Sequence, residues 1–492
     1  MRPFMSMKNH RLLSFLMDLR PGTLVPGALH LESSHIPSRR LTQHKRSRQV
    51  ILGGALLLGA ACAAEPPTAD PDPPNILLIS LDALRADHLG CYGYDRATSP
   101  FLDNLASRGT RFSHASVNTH GTPPSHTTML SSLYQETHRV GFGANTPQGR
   151  NDTIPAEVEL VQEILQAQGW HTLGVTGGGY MSGVFGFSRG FTFFSDKARS
   201  VEQGTSMLLD SIKSAMEDGR PIFAMYHTYE IHSPYEPPPQ YRKIFGEFQS
   251  DISLKSEDLA PIQVKAGALL ERNDFDFLES QYDGEILYTD DVLKDFFAQL
   301  ESIGFLENTM VIITSDHGEE FGDHGGLLHR ASLFEELLHI PLILVGPMIP
   351  EGVVDPRLVS LIDISPTILG AARLPATDIM EGRSLLDRSP QGTWPNQRLF
   401  AQYTARLYSV RTPRWKLIHK PKAQRLQLFD LRHDPTEHHN VTKRFPEIGE
   451  DLLAELEAWR DGRPNLDILK EQPNQLNQGV IDDLRALGYI EE

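Results

Sequence analysis

The sequence predicts an α/β fold: a mostly parallel sheet with helices on both faces, followed by a smaller C-terminal α+β unit built on an antiparallel sheet. Three observations predict it. From Asn75 onward, short apolar runs of β type alternate with helical stretches, the pattern of strands joined by crossover helices. Two of those runs, Asn75-Ile-Leu-Leu-Ile-Ser-Leu-Asp82 and Val311-Ile-Ile-Thr-Ser-Asp316-His317, carry consecutive apolar residues, as strands covered on both faces do, and each leads into an Asp. Beyond residue 392 the strand-like runs become short and closely spaced, which suggests hairpins.

In chain order, 76–81 reads as a buried strand. Ser99-Pro100 opens a helix, with Ser at the N-cap and Pro at the first helical position, and Gly109 closes it. Thr122-Pro-Pro-Ser-His126 is a tight turn into another helix. Helical signals recur at 157–168, ended by Gly169, and at 201–217, ahead of a strand at 221–226. A helix over 282–303 precedes a strand at 310–314, and 341–345 makes a further strand. Residues 235–274, polar and Pro-rich at their start, show no strong period and read as an insertion overhanging the active edge. Strands are expected at 399–404, 407–411, 415–419 and 426–431, with a covering helix at 447–459. The expected organisation is a targeting segment at 1–62, a linker at 63–74, a catalytic domain at 75–392 and a C-terminal subdomain at 393–492.

With 492 residues the chain can bury a large core plus a smaller one. A net charge of −17 argues against nucleic acid as a partner, although a metal and a few histidines can still draw a small anionic substrate. The first 74 residues read as an address. His44-Lys-Arg-Ser-Arg48 is a basic region, 50–59 is apolar but too short to span a bilayer, and Leu58-Gly-Ala-Ala-Cys62 is a small-residue ending. This resembles a bacterial lipoprotein signal with Cys62 as the lipidated residue, so an exported protein of the cell envelope or periplasm is expected, tied to a membrane only through that lipid. Gly59 stands where such signals usually carry Leu, which leaves ordinary secretory cleavage nearby as the alternative. Residues 1–43 lack any periodic pattern, as a start codon placed too far upstream would explain. Two cysteines give no disulfide framework.

Asp316-His317, at the mouth of the Gly-rich loop Gly318-Glu-Glu-Phe-Gly-Asp323-His324-Gly, is half of a divalent-metal site. In open α/β sheets the remaining groups come from other strand ends at the carboxyl edge, where Asp82 and the Thr122 turn are available.

Several motifs in this order then converge. Leu81-Asp82-Ala-Leu-Arg85-Ala-Asp87-His-Leu-Gly90-Cys-Tyr-Gly93, Thr122-Pro-Pro124-Ser125-His126, His227 with His232-Ser-Pro234-Tyr235, and Thr-Ser-Asp316-His317-Gly together resemble the sulfatase family of the alkaline-phosphatase superfamily. Ser409-Val-Arg-Thr-Pro-Arg-Trp-Lys416 and Leu428-Phe-Asp430-Leu-Arg-His-Asp434-Pro-Thr-Glu437 are similar to its C-terminal signatures. The resemblance implies that Asp82, Asp316 and His317 bind one divalent cation, that Thr122 supplies the nucleophile and a metal ligand, and that His232 protonates the leaving group. It implies substrate contacts for Asn145 and His329; His126, counted with the substrate-binding candidates, is either a support beside the nucleophile or simply a helix residue.

The departures from the family pattern carry as much information. Sulfatases place at the nucleophile a Cys or Ser that matures to formylglycine, and this chain has Thr122. The family's second carboxylate beside Asp82 is Ala83, so Mn²⁺ or Zn²⁺ gains on Ca²⁺ as the occupant, Ca²⁺ remaining possible. His126 replaces an Arg, and His329 a Lys. The expectation is a metal-dependent hydrolase of phosphate or sulfate esters with a small anionic substrate. The alternatives are a transferase that passes the phospho group to a second alcohol, and a sulfatase-like binding protein without catalysis.

Overall fold

The computed structural model describes residues 72–141, 153–248, 250–387, 398–464, 466, 476–487 and 489. Cys62 with its signal-like surroundings, and Asn145, lie outside the described residues.

The strands are β1 (Asn75–Leu81), β2 (Thr110–Ser116), β3 (His171–Val175), β4 (Phe193–Ser195), β5 (Ile222–Thr228), β6 (Thr309–Thr314), β7 (Glu320–Phe321), β8 (Leu327–Leu328), β9 (Leu342–Val345) and β10 (Val353–Ser360). They are followed by β11 (Leu399–Tyr403), β12 (Leu407–Arg411), β13 (Trp415–Lys420) and β14 (Arg425–Asp430). Eight of them form one sheet in the order β10-β2-β9-β6-β1-β5-β3-β4, parallel except for β9, which runs antiparallel to both β2 and β6. The strands β11 to β14 make an antiparallel meander, and β7 with β8 a small ladder. The predicted class therefore holds, and the differences are local.

β1 shows why the sheet must be covered on both sides. Successive side chains of a strand point to opposite faces. Ile76 and Leu78 enter one core with the helices Thr122–Ser131 and Ile364–Ala371, while Leu77, Ile79 and Leu81 enter another with the helices Val201–Ala215 and Arg272–Ser302. All five are fully buried. The long helix begins at Arg272, ten residues before the sequence places it, and its Tyr282 reaches under the sheet's edge: the hydroxyl donates to the Ala83 carbonyl at 2.8 Å and accepts from the Arg85 N–H at 2.9 Å. That latch fixes the turn leaving β1.

Some strands were silent in the sequence for physical reasons. β10 carries Pro356 and a register shift between Asp355 and Leu358, and a Pro is tolerated in a strand only at an edge or bulge, which is where β10 lies. β3 is short and contains Gly174, so its apolar signal is thin. β2 has only two apolar residues, Phe112 and Ala115, which stand three apart and give no period-2 pattern.

The meander β11 to β14 packs its own core around Tyr408, Val410, Leu417 and Leu428 with the helix Pro446–Asp461. Lys416 on β13 is fully buried, with its Nζ 2.8 Å from Glu335 and 2.9 Å from Glu437, and Arg411 reaches Glu335 at 3.2 Å. Glu335 follows closely on the loop that bears His329, so this buried ion cluster ties the small sheet to the active edge. Removing one member leaves a buried charge uncompensated. Lys416→Met is expected to lower the unfolding free energy by about 3–5 kcal/mol in denaturant titrations, far more than loss of an exposed pair such as Lys243–Glu247.

Candidate active site

β1 lies between β5 and β6, and all three run parallel. The register pairs Ser80 with Thr314, so two residues further on Asp82 and Asp316 stand level at the carboxyl edge. Both are fully buried, and so is His317. Asp82 Oδ1, Asp316 Oδ2 and His317 Nε2 have no hydrogen-bond partner, and the three residues offer ligand atoms that all lie within 4.8 Å of one another. His317 Nδ1–H donates to the Gly318 carbonyl at 2.9 Å, which fixes the tautomer that leaves Nε2 free to ligate. Burial pushes Asp316 well above the usual carboxylate range, helped by the charge of Asp82. Burial acts against Asp82 as well, but the His227 hydrogen bond and the nearby imidazoles hold it below its ordinary value. Two carboxylates and an imidazole with unpaired atoms converging in a dry pocket fit a divalent cation.

The turn that leaves β1 completes the frame. Ala83 adopts a left-handed backbone, φ 59°, and its N–H donates to Asp316 Oδ1 at 3.3 Å. Arg85 forms a fork to Asp87 and Asp323, binding this turn to the Gly-rich loop; Asp87 thus has a structural task. His324 likewise shapes that loop through Glu336 at 2.8 Å.

Thr122 begins the helix Thr122–Ser131, preceded by Gly121 at φ 102°, a conformation that suits only Gly. Its Oγ1 donates to Asp82 Oδ2 at 3.2 Å, beside the ligand cluster. Pro123 and Pro124 follow, so the helix start lacks two of its N–H donors and offers an anion chiefly its dipole. His227, near the C-terminal end of β5, holds the same Asp82 oxygen at 3.1 Å. His126 is fully buried behind Thr122: its Nε2 bonds Ser80 Oγ at 2.9 Å, its Nδ1 the Thr122 carbonyl at 2.9 Å, and Asp316 Oδ2 lies 3.6 Å from Nδ1. It braces the first turn of the helix against both strand ends.

Above the cluster sit His232 and His329. His232 Nδ1–H donates to the Ser233 carbonyl at 2.7 Å, turning Nε2 toward Thr122. The His329 ring lies 4.5 Å from that of His317 and 5.1 Å from that of His232, with Nδ1 3.3 Å from buried Glu319. Two residues here escaped the sequence reading. Glu319, two positions after His317, holds His329 in place; the signal was its place in the Gly-rich loop. Tyr489 sends its hydroxyl between Thr122 Oγ1, at 3.3 Å, and His232 Nε2, at 3.0 Å, from the far end of the chain, and nothing in the sequence marked it.

The profile of the family described as Sulfatase matches residues 74–374, and that described as N-sulphoglucosamine sulphohydrolase, C-terminal, matches 322–461. The chain belongs to the sulfatase family. Its members are ester hydrolases, and sulfatase-family proteins are generally metal-dependent. The chain is 27% identical to arylsulfatase K of Gallus gallus over 466 residues, covering 82% of this chain and 85% of that one. Among solved structures, it is similar to the phosphonate monoester hydrolase of Agrobacterium radiobacter, with a TM-score of 0.64, 21% identity and coverage of 79% of this chain and 96% of that one. A protein solved in complex with its substrate D-glucosamine-2-N,6-O-disulfate gives a TM-score of 0.64 at 19% identity, covering 79% and 98%. At these identities the two structures establish the fold.

Two cavities open onto this sulfatase-family site. One of about 150 Å³ is lined by His232, His329, Gln263 and Tyr489, among others; a larger one of about 390 Å³, behind His232, is lined by Glu230, Glu285 and Asp483. Glu285 is pushed up to about 9 by burial and by the charge of Glu230, and burial takes Glu230 itself to about 7. A raised carboxyl binds its proton more tightly folded than unfolded, so stability present below the unfolded value of 4.5 is lost as pH rises towards about 9. Glu285→Gln is expected to flatten the fall in melting temperature across that window and to be more stable than the parent at its alkaline end. A parallel decline in both proteins would show that Glu285 does not carry the slope.

Proposed function

We propose that this chain is an exported, metal-dependent hydrolase that cleaves phosphate esters faster than sulfate esters through a threonine nucleophile. The observation that carries the reading is one gap: Thr122 Oγ1 stands 3.2 Å from Asp82 Oδ2 on one side, and His232 Nε2 faces it across a single intervening hydroxyl group. Asp82, Asp316 and His317 would hold the cation, with Thr122 Oγ1 beside them. Once bound, the cation lowers the pKa of a nearby hydroxyl and offsets charge on the ester oxygens, and the missing carboxylate at Ala83 favours Mn²⁺ or Zn²⁺ over Ca²⁺.

The chain's own residues then divide the work. Asp82 Oδ2 accepts the Thr122 proton, and Oγ1 attacks phosphorus in line. His329, steered by Glu319, donates to the equatorial oxygens, and Asn145 is assigned the same task by family resemblance. His232, protonated on Nε2, gives that proton to the departing oxygen. Water then attacks the threonyl ester and gives a proton to the now neutral His232, while Oγ1 leaves phosphorus and takes back its proton from Asp82. The substrate is a small anionic ester, and any membrane attachment comes through lipid on Cys62.

The relatives named above are called arylsulfatase and phosphonate monoester hydrolase, so the fold carries both ester types, and we assign this chain's choice to Thr122. Formylglycine hydrate has two hydroxyls, one to attack and one to expel sulfate. Threonine has one. A sulfated Thr122 would have to be opened by water at a weakly charged sulfur centre, whereas a phosphorylated Thr122 is opened beside a cation suited to it. Transfer to a second alcohol in place of water is the alternative fate of the same intermediate.

Matched aryl phosphate and aryl sulfate esters test this side by side. The expected result is a higher kcat/KM for the phosphate ester, with Thr122→Ala lowering kcat by about a thousandfold or more. A sulfate preference of about tenfold that vanishes in Thr122→Ala would refute the assignment of phosphorus while keeping the nucleophile.

A further inference from the structure

Tyr489 lies 367 residues from Thr122 in sequence and yet touches both the nucleophile and the acid. It is carried there by the helix Gln478–Ala486, which buries Val480 and Leu484 in the main core, packs Leu487 against Gly179 and pairs Asp483 with Arg199 at 3.1 Å. The Tyr489 N–H donates to the Leu484 carbonyl at 2.9 Å, and its ring meets that of Tyr180 edge-on at 4.7 Å. His232, Ser233 and Leu487 line both cavities, so the C-terminal segment is part of the wall between them.

The position of the phenol is incompatible with a bound ester. Reacting atoms in a productive complex stand about 3–3.5 Å apart, so the phosphorus must sit about that far from Thr122 Oγ1 and on the side of His232. The Tyr489 oxygen occupies that place, 3.3 Å from Oγ1 and 3.0 Å from His232 Nε2. The phenol oxygen thus fills the space between Thr122 and His232 that a bound tetrahedral anion needs. The segment's hold is slight by comparison with the sheet. A nine-residue helix is too short to be stable alone, its Asp483–Arg199 pair is partly exposed, and only two of its side chains enter the core.

We propose that Tyr489 is a displaceable occupant of the oxyanion site: the C-terminal segment holds its phenol on Thr122 and His232, and substrate binds only to the molecules in which it has withdrawn. This rests on the reading of Thr122 and His232 as nucleophile and acid. A site that is open in only a fraction of molecules shows an apparent affinity reduced by that fraction, and freeing it restores the intrinsic one.

The test is calorimetric titration of the full chain, loaded with its divalent ion, with inorganic phosphate. Tyr489→Ala should bind phosphate about five- to tenfold more tightly than the parent, and Tyr489→Phe, which keeps the ring and loses both hydrogen bonds, should move the same way. Asp483→Arg, which touches no reacting group, should tighten binding by a smaller factor, and the double variant Arg199→Asp/Asp483→Arg should restore the parent affinity. The kcat/KM for the aryl phosphate should rise in step, through KM. Measurable but unchanged or weaker phosphate binding in both Tyr489 variants would overturn the proposal and leave the ester-hydrolase reading standing, with Tyr489 a fixed part of the site. No phosphate binding by any variant, with the site freed, would overturn both.

Discussion

Two carboxylates buried side by side are the constraint on which the active edge depends. Asp82 and Asp316 stand level on adjacent parallel strands, each fully buried and each with an unpaired oxygen near the unpaired Nε2 of His317. Left to themselves they repel, and burial drives Asp316 toward its neutral form. A divalent cation removes both penalties at once. The surrounding structure keeps the arrangement from relaxing: Ala83 N–H and His126 flank Asp316, His227 and Thr122 flank Asp82, and Tyr282 pins the turn between them.

From that frame the differences within the family acquire a physical meaning. With Ala83 in place of a carboxylate, the site offers the cation one oxygen donor fewer, and the backbone there turns left-handed to bond Asp316. With His126 in place of Arg, a fixed charge beside Thr122 becomes a buried neutral ring; burial lowers its pKa to about 3. On the proposed assignment, Thr122 keeps an attacking oxygen and lacks the second hydroxyl of formylglycine hydrate. These differences lie within one cluster, and all reduce charge or oxygen count.

Much of this was legible in the sequence because it is local. An apolar run ending in Asp marks a buried parallel strand with a ligand at its tip, and β1 and β6 are two such runs. The meander β11 to β14 was legible from its spacing, and Thr122-Pro-Pro from its helix-start chemistry. What the sequence hid is either weak in pattern or long in range. β10 is broken by Pro356, and the helix from Arg272 starts within a polar stretch whose buried face shows only in three dimensions. His227 became a partner of Asp82 only when β5 paired with β1, and Tyr489 depends on the docking of a short helix whose own pattern says nothing of the nucleophile.

If Asp82, Asp316 and His317 form one site for one divalent ion, that ion travels with the purified protein. Elemental analysis, together with anomalous diffraction from crystals, reads this out. About one ion per chain is expected, seated among these three side chains, and it should be lost in Asp316→Asn with the fold intact. Protein that is free of metal and still hydrolyses its ester at full rate in the presence of a strong chelator would contradict the assignment.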